Sequence, residues 1–125
     1  MKDSIVKEKS YAFALKIIRL AQSLKKQKQY ELAGQLLRAG TSIGANVEEA
    51  LAGTSRADFV AKMCIASKEA RESHYWLRLL RDSGIVVDSH GGSLINEADE
   101  LLRILTAIVK TSRHNLKFKI QNSKL

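Results

Sequence analysis

The sequence predicts an all-α fold, an antiparallel up-and-down four-helix bundle, and three observations carry that expectation. The chain of 125 residues contains no proline, so nothing in it forces a helix to stop. Its long segments are rich in Ala, Leu, Lys, Glu and Arg, which lose little on entering a helix. Apolar residues recur at spacings of three, four and seven, which at about 100° per residue share one helical face. With 45% apolar and 27% charged residues, the chain suits one buried core and is too short for two.

The first helix is expected over residues 4–26, with Val6, Phe13, Ile17, Leu20 and Leu24 inward. A second is expected over residues 30–51 on the stripe Leu32, Leu36, Ile43, Val47 and Ala50. Gly53 suits its C-terminus, and Ser55 with Asp58 three positions on resembles a capping box with Asp in place of Glu. The third spans residues 56–83, with Phe59, Met63, Ala66, Ala70, Leu77 and Leu80 inward and Gly84 as its stop. The stretch "GIVVDSHGGS" is β-branched at Ile85, Val86 and Val87, but it has no partner strand and reads as a loop. Ser93 is the expected cap of a fourth helix carrying Ile95, Ala98, Leu102, Leu105 and Val109. The pattern fades near Ser112, which divides the chain into a bundle domain, residues 1–112, and a basic C-terminal tail, residues 113–125, open between helix extension and disorder. Short connections favour antiparallel neighbours.

Two helices carry a second apolar set. Tyr11, Leu15 and Ile18 lie far around the first helix from its core stripe, and Ile65, Trp76 and Leu79 do the same on the third. A monomer's surface helix is polar there, so these six positions are candidate oligomer contacts. The bland alternative is a wide core stripe with these residues at its edges.

The segment Gly40-Thr41-Ser42-Ile43-Gly44 spells the Gly-x-Ser-x-Gly pattern of hydrolase nucleophiles. A nucleophile elbow needs a strained strand-to-helix turn, whereas this pattern lies inside a continuous helical periodicity. The chain order Ser42, Asp82 or Asp88, His90 mimics a triad, but no sheet can be built to position it. No enzyme activity is therefore expected. Gly40 and Gly44 share one helical face, where missing side chains let another helix approach closely and offset the roughly 1 kcal/mol that glycine costs in a helix. Thr41, Ser42 and Asn46 are placed to bond a neighbouring helix. Glu69, Glu72, His74 and His114 lack the spacing of a metal site, and a phosphate-binding loop would need a lysine after Gly44. Neither a metal nor another cofactor is expected.

Cys64 is the only cysteine, which excludes an internal disulfide, and its apolar neighbours suit burial rather than reactivity. The N-terminus is charged throughout and no apolar run approaches the roughly 20 residues of a membrane span. A cytoplasmic protein that does not enter the membrane is expected. The formal charge is +8, with lysine and arginine concentrated at both ends of the chain. Phosphate contacts would come from Arg19, Lys25, Lys26, Arg113, Lys117 and Lys119, and from Arg38, whose side chain leaves the core stripe. The simpler reading is that these cations only keep the protein soluble.

The stretches "SYAFALKIIRL", "QLLRAGTSIGANVEEA" and "SRADFVAKMCIASKEARESHYWLRLLRDSGIV" together resemble the four-helix bundle protein family, also called 23S rRNA intervening sequence proteins. The resemblance spans roughly residues 9–110 and rests on Arg38, Gly40, Ser42, Gly44, Asn46, Glu49, Ala50, Asp58, Phe59, Glu69, Ala70, Glu72, Tyr75, Trp76 and Leu77. Between Val86 and Ser93 nothing fixed is shared. The resemblance implies antiparallel bundles assembled as five-membered rings, here a homopentamer, without enzyme activity. It also implies kinship with the accessory variability protein of diversity-generating retroelements, which partners a reverse transcriptase and binds nucleic acid on a basic surface. The function expected is a non-enzymatic, ring-shaped homo-oligomer that binds RNA, DNA or a nucleoprotein. The alternative is an interaction scaffold for an acidic protein partner without nucleic acid.

Overall fold

Four helices account for nearly all of the computed structural model, which describes residues 2–53 and 55–123, the side chains of 2–4 and 88–91 excepted. They are α1 (Lys2–Lys26), α2 (Tyr30–Ala52), α3 (Arg56–Asp82) and α4 (Asp88–Ser123). Each helix packs along the next, and α4 returns to α1. Paired positions run in opposite directions. Ile17 lies over Gly40 and Ser10 over Gly44, while Lys9 and Lys16 reach back to Glu100 and Glu97, each at 2.9 Å.

Phe13, Ile17, Leu24, Leu36, Ile43, Met63, Leu77, Leu80, Leu101 and Leu105 fill the interior. Leu20, Leu32, Phe59 and Leu102, expected to face inward, are only partly buried. Their neighbours Ala21, Ala33, Val60 and Leu101 hold the interior positions; at Ala21 and Ala33 the small side chain also lets the facing helix approach. Buried Ser10 and Ser73 satisfy their hydroxyls within their own helices, on Lys7 O (3.1 Å) and Glu69 O (2.8 Å).

The helix ends follow their caps. Ser55 Oγ accepts from Asp58 N at 3.1 Å. The Asp58 carboxylate lies so close over Gly53 that a Cβ there would be 2.6 Å from Oδ2. Gly84, at φ +79°, ends α3 in the left-handed region that glycine enters without strain. Lys28 adopts φ 62° in the α1–α2 turn, a less comfortable solution for a side chain with a Cβ.

Two local expectations are corrected, and the open question of the C-terminal residues is answered. The connection after Gly84 is short, and α4 begins at Asp88 rather than at a Ser93 cap. Val86 is buried and its N–H bonds Leu80 O at 3.1 Å, which aims the chain so that the helix starts at once, through Gly91 and Gly92, despite their low propensity. At the other end α4 continues to Ser123. Leu116 and Ile120 extend the stripe of Leu105 and Val109 at helical spacing, so residues 113–123 are further turns of the same helix. Thr41, Ser42 and Asn46 bond within α2, not across to a neighbour. Thr41 Oγ1 donates to Leu37 O (2.7 Å), and Asn46 Nδ2 donates to Ser42 O and Oγ (2.9 and 3.0 Å).

Candidate nucleic-acid interface

Helix geometry sorts the cations before any partner is considered. On α3, Cys64, Ser67, Lys68 and Arg71 recur at i, i+3, i+4 and i+7 and so share one flank. On α4, Thr106, Val109, Lys110, Arg113, His114 and Lys117 do the same. The two flanks meet in a groove of about 580 Å³ lined by these residues. It therefore gathers five Lys or Arg side chains and His114, with no carboxylate in its lining. Arg113 Nη2 approaches Cys64 Sγ at 3.3 Å, and Cys64, expected to be buried, is partly buried against the core.

The missing acids are elsewhere. Arg38, on α2, donates Nη1 to Glu69 Oε2 at 3.0 Å and Nη2 to Glu72 Oε1. Glu72 also accepts the Trp76 indole N–H at 3.1 Å. Glu69 and Glu72, the two carboxylates in the middle of α3, are thus drawn to the α2 side, and the groove lining is left without an acid. Arg38, read from the sequence as a phosphate contact, instead has its charge matched by two carboxylates.

The remaining sequence candidates do not converge. Arg113 and Lys117 lie in the groove, but Lys119, two residues on, projects about 200° around α4 from Lys117. Arg19 lines a different cleft, of about 530 Å³, with Lys16, Leu20, Ile85, Val86, Leu94 and Glu97. Lys25 and Lys26 occupy the last turn of α1, where cations favour the helix dipole. Since Lys16 pairs with Glu97, this group sits beyond the 97-to-117 span of α4, about 30 Å at 1.5 Å per residue. The sequence reading missed Lys68, Arg71, Lys110 and His114 as members of one site. Arg113 and Lys117 on α4 were legible as cations, but the α3 flank that faces them was not.

The two apolar sets are on the surface. Tyr11, Leu15 and Ile18 on α1, and Ile65 and Leu79 on α3, are exposed. Trp76 differs: it is half-buried against the core, oriented by Glu72 and met edge-on by Tyr75 at 5.6 Å between centroids. Gly40 is the closer of the two glycine contacts, since a Cβ there would lie 2.7 Å from Ile17 Cγ2, against 3.4 Å from Ser10 O at Gly44. What approaches at Gly40 is a side chain; the backbone comes near only at Gly44.

The hydrolase-like motif sits mid-helix, where Ser42 Oγ accepts from Asn46. The Asp88 and His90 side chains, like Lys124, lie outside the described residues. Among the described residues no three His, Cys, Asp or Glu side chains gather as a metal site requires, and no helix is long and apolar enough to cross a membrane.

The titration of His74 responds to this packing. Partial burial, then the nearby charge of Arg78, holds His74 below the ordinary histidine range, with Arg81 acting alike and Asp99 opposing. The unfolded chain therefore takes up the proton first, and stability present at neutral pH declines as pH falls through the unfolded value near 6.5. Urea midpoints measured from about pH 7.5 down to about pH 5 should fall in the wild type and fall less in His74→Gln.

A single all-α bundle with a cationic α3–α4 flank and two exposed apolar faces defines the class of protein. The chain matches the 23S rRNA-intervening sequence protein family over residues 2–107 and belongs to it. A solved structure from Bacteroides thetaiotaomicron, a protein of unknown function from the S23 ribosomal protein family, is 44% identical. That similarity covers 88% of this chain and 99% of the other, with a TM-score of 0.84. No curated protein matches.

Proposed function

We propose that this chain is a non-enzymatic, homo-oligomeric bundle that binds nucleic acid, or a nucleoprotein, through the groove between α3 and α4. The observation that carries this reading is the gathering of Lys68, Arg71, Lys110, Arg113 and Lys117 in one lining without a carboxylate. Cations so placed attract phosphates and release counterions without reading bases. Arg19, Lys25, Lys26 and Lys119 are peripheral contacts, too scattered to form a second site. The family's name makes RNA the first probe, and the reading places the protein in the cytoplasm.

Assembly follows from the apolar faces. α1 and α3 both pack on α2 and make no packing contact with each other among the described residues, so their outer faces look to different sides. Two unlike patches on one subunit suit head-to-tail association, which closes into a ring when the rotation permits. A homopentamer is the ring we propose, on the strength of the family resemblance.

Two measurements test these statements. A salt titration against mixed-sequence RNA and DNA should show binding that weakens steeply as salt rises; no binding at low salt, or binding indifferent to salt, removes the nucleic-acid reading. A protein partner that stays bound after nuclease treatment would favour an acidic-partner scaffold instead. Light scattering should give a mass several times that of one chain, collapsing to one chain in Leu15→Glu and in Leu79→Glu; a wild-type monomer rejects the assembly.

A further inference from the structure

Resting on the nucleic-acid reading above, we infer that the α3–α4 groove selects double-stranded over single-stranded nucleic acid and holds it chiefly by its phosphates. Proteins that grip single strands add aromatic platforms on which unstacked bases lie, each worth about 1–3 kcal/mol. The groove offers little of this: His114 is its one ring, beside the Arg71 and Arg113 guanidinium planes. Its lining holds cations, His114, the small polar residues Cys64, Ser67 and Thr106, and Val109, and no phenylalanine, tyrosine or tryptophan is among them. The exposed rings Tyr11, Tyr30 and Tyr75 belong to α1, to the start of α2, and to a position on α3 outside the groove lining. Phe118, though next to Lys117 in sequence, projects about 100° away from it around α4.

Base-edge readout is narrow: the lining holds Lys and Arg, which suit guanine, and Ser67 and Thr106, which discriminate poorly. The lining contains no Asn, Gln, Asp or Glu, the side chains that pair with adenine or cytosine edges. With so little stacking or edge readout, affinity follows chiefly the density of phosphate charge. A duplex presents one charge per roughly 1.7 Å of axis, twice that of either strand alone. The cations stand on two antiparallel flanks, and the 106-to-117 span of α4 is about 16 Å long. That is a rigid charged strip suited to a rigid backbone, not to a chain that must first unstack.

The test is fluorescence anisotropy of the full chain with a labelled mixed-sequence duplex and with one of its strands, in matched buffers across a salt series. The duplex should bind at least about tenfold more tightly, with a log–log salt slope near −4.5 for five contacts against about −3.5 for the strand. Arg71→Ala with Arg113→Ala should reduce the slope by about 1.8 on the duplex and about 1.4 on the strand; slopes that stay unchanged overturn the assignment to this groove. A single strand bound as tightly as the duplex, or more so, overturns the selectivity and leaves the nucleic-acid reading standing. Failure of both probes to bind removes that reading and this inference with it.

Discussion

Reversing Lys110, Arg113 and Lys117 together to glutamate is expected to weaken nucleic-acid binding at least about 100-fold at low salt. All three side chains are exposed and line the groove from α4, so the fold should survive. Each lost phosphate contact removes about 0.9 from the salt slope on a duplex, and three carboxylates then repel the backbone that three cations had attracted. The comparison that gives the result meaning is Lys25→Glu with Lys26→Glu. That change removes charge from the far end of the bundle, and binding should shift only a few-fold. Equal losses in the two variants would mean that net charge, not the groove, governs the interaction. Circular dichroism and thermal unfolding confirm that both variants remain helical.

Gly40→Leu should destabilise the bundle by about 3 kcal/mol or more, read as a lowered urea midpoint. The first added carbon would lie 2.7 and 2.8 Å from the γ carbons of Ile17, a β-branched side chain with little rotameric freedom in a helix. Three further carbons would have to enter an interior already filled by Phe13 and Ile43. The gain in helix propensity, about 1 kcal/mol, offsets only part of this. Gly34, on the same helix, has open space around it, with nothing within 4 Å of where a Cβ would sit, so Gly34→Ala should stabilise by up to about 1 kcal/mol. Loss of stability in both variants would point to a general glycine requirement in α2 and away from contact at Gly40.

Periodicity made the four helices legible because it is a property of one helix at a time. Val6, Phe13, Ile17 and Leu24 declare an inward face whatever they pack against, and Ser55 and Gly84 mark ends by bonds and dihedrals that span a few residues. Where neighbouring candidates competed, local reading was less sure. Leu102 and Leu101 are adjacent and equally apolar, and only the approach of facing helices puts Leu101 inside. The loop expected before Ser93 failed for a similar reason: glycine propensity is a weak local preference, and the anchoring of Val86 beneath the core overrides it.

The site was less legible than the fold. Lys117 and Lys119 look equivalent in a basic run, yet one enters the groove and the other points away. Arg38 looked like a free cation because its partners, Glu69 and Glu72, lie 31 and 34 positions away. By itself, then, the sequence determined the helical class, the placement of most turns, the family, and the presence of surplus charge and spare apolar faces. Tertiary structure alone decided which cations stand together and which are already neutralised. Hydrophobic period is written into each helix, whereas Coulomb interactions act over a few ångströms between side chains that only folding brings side by side.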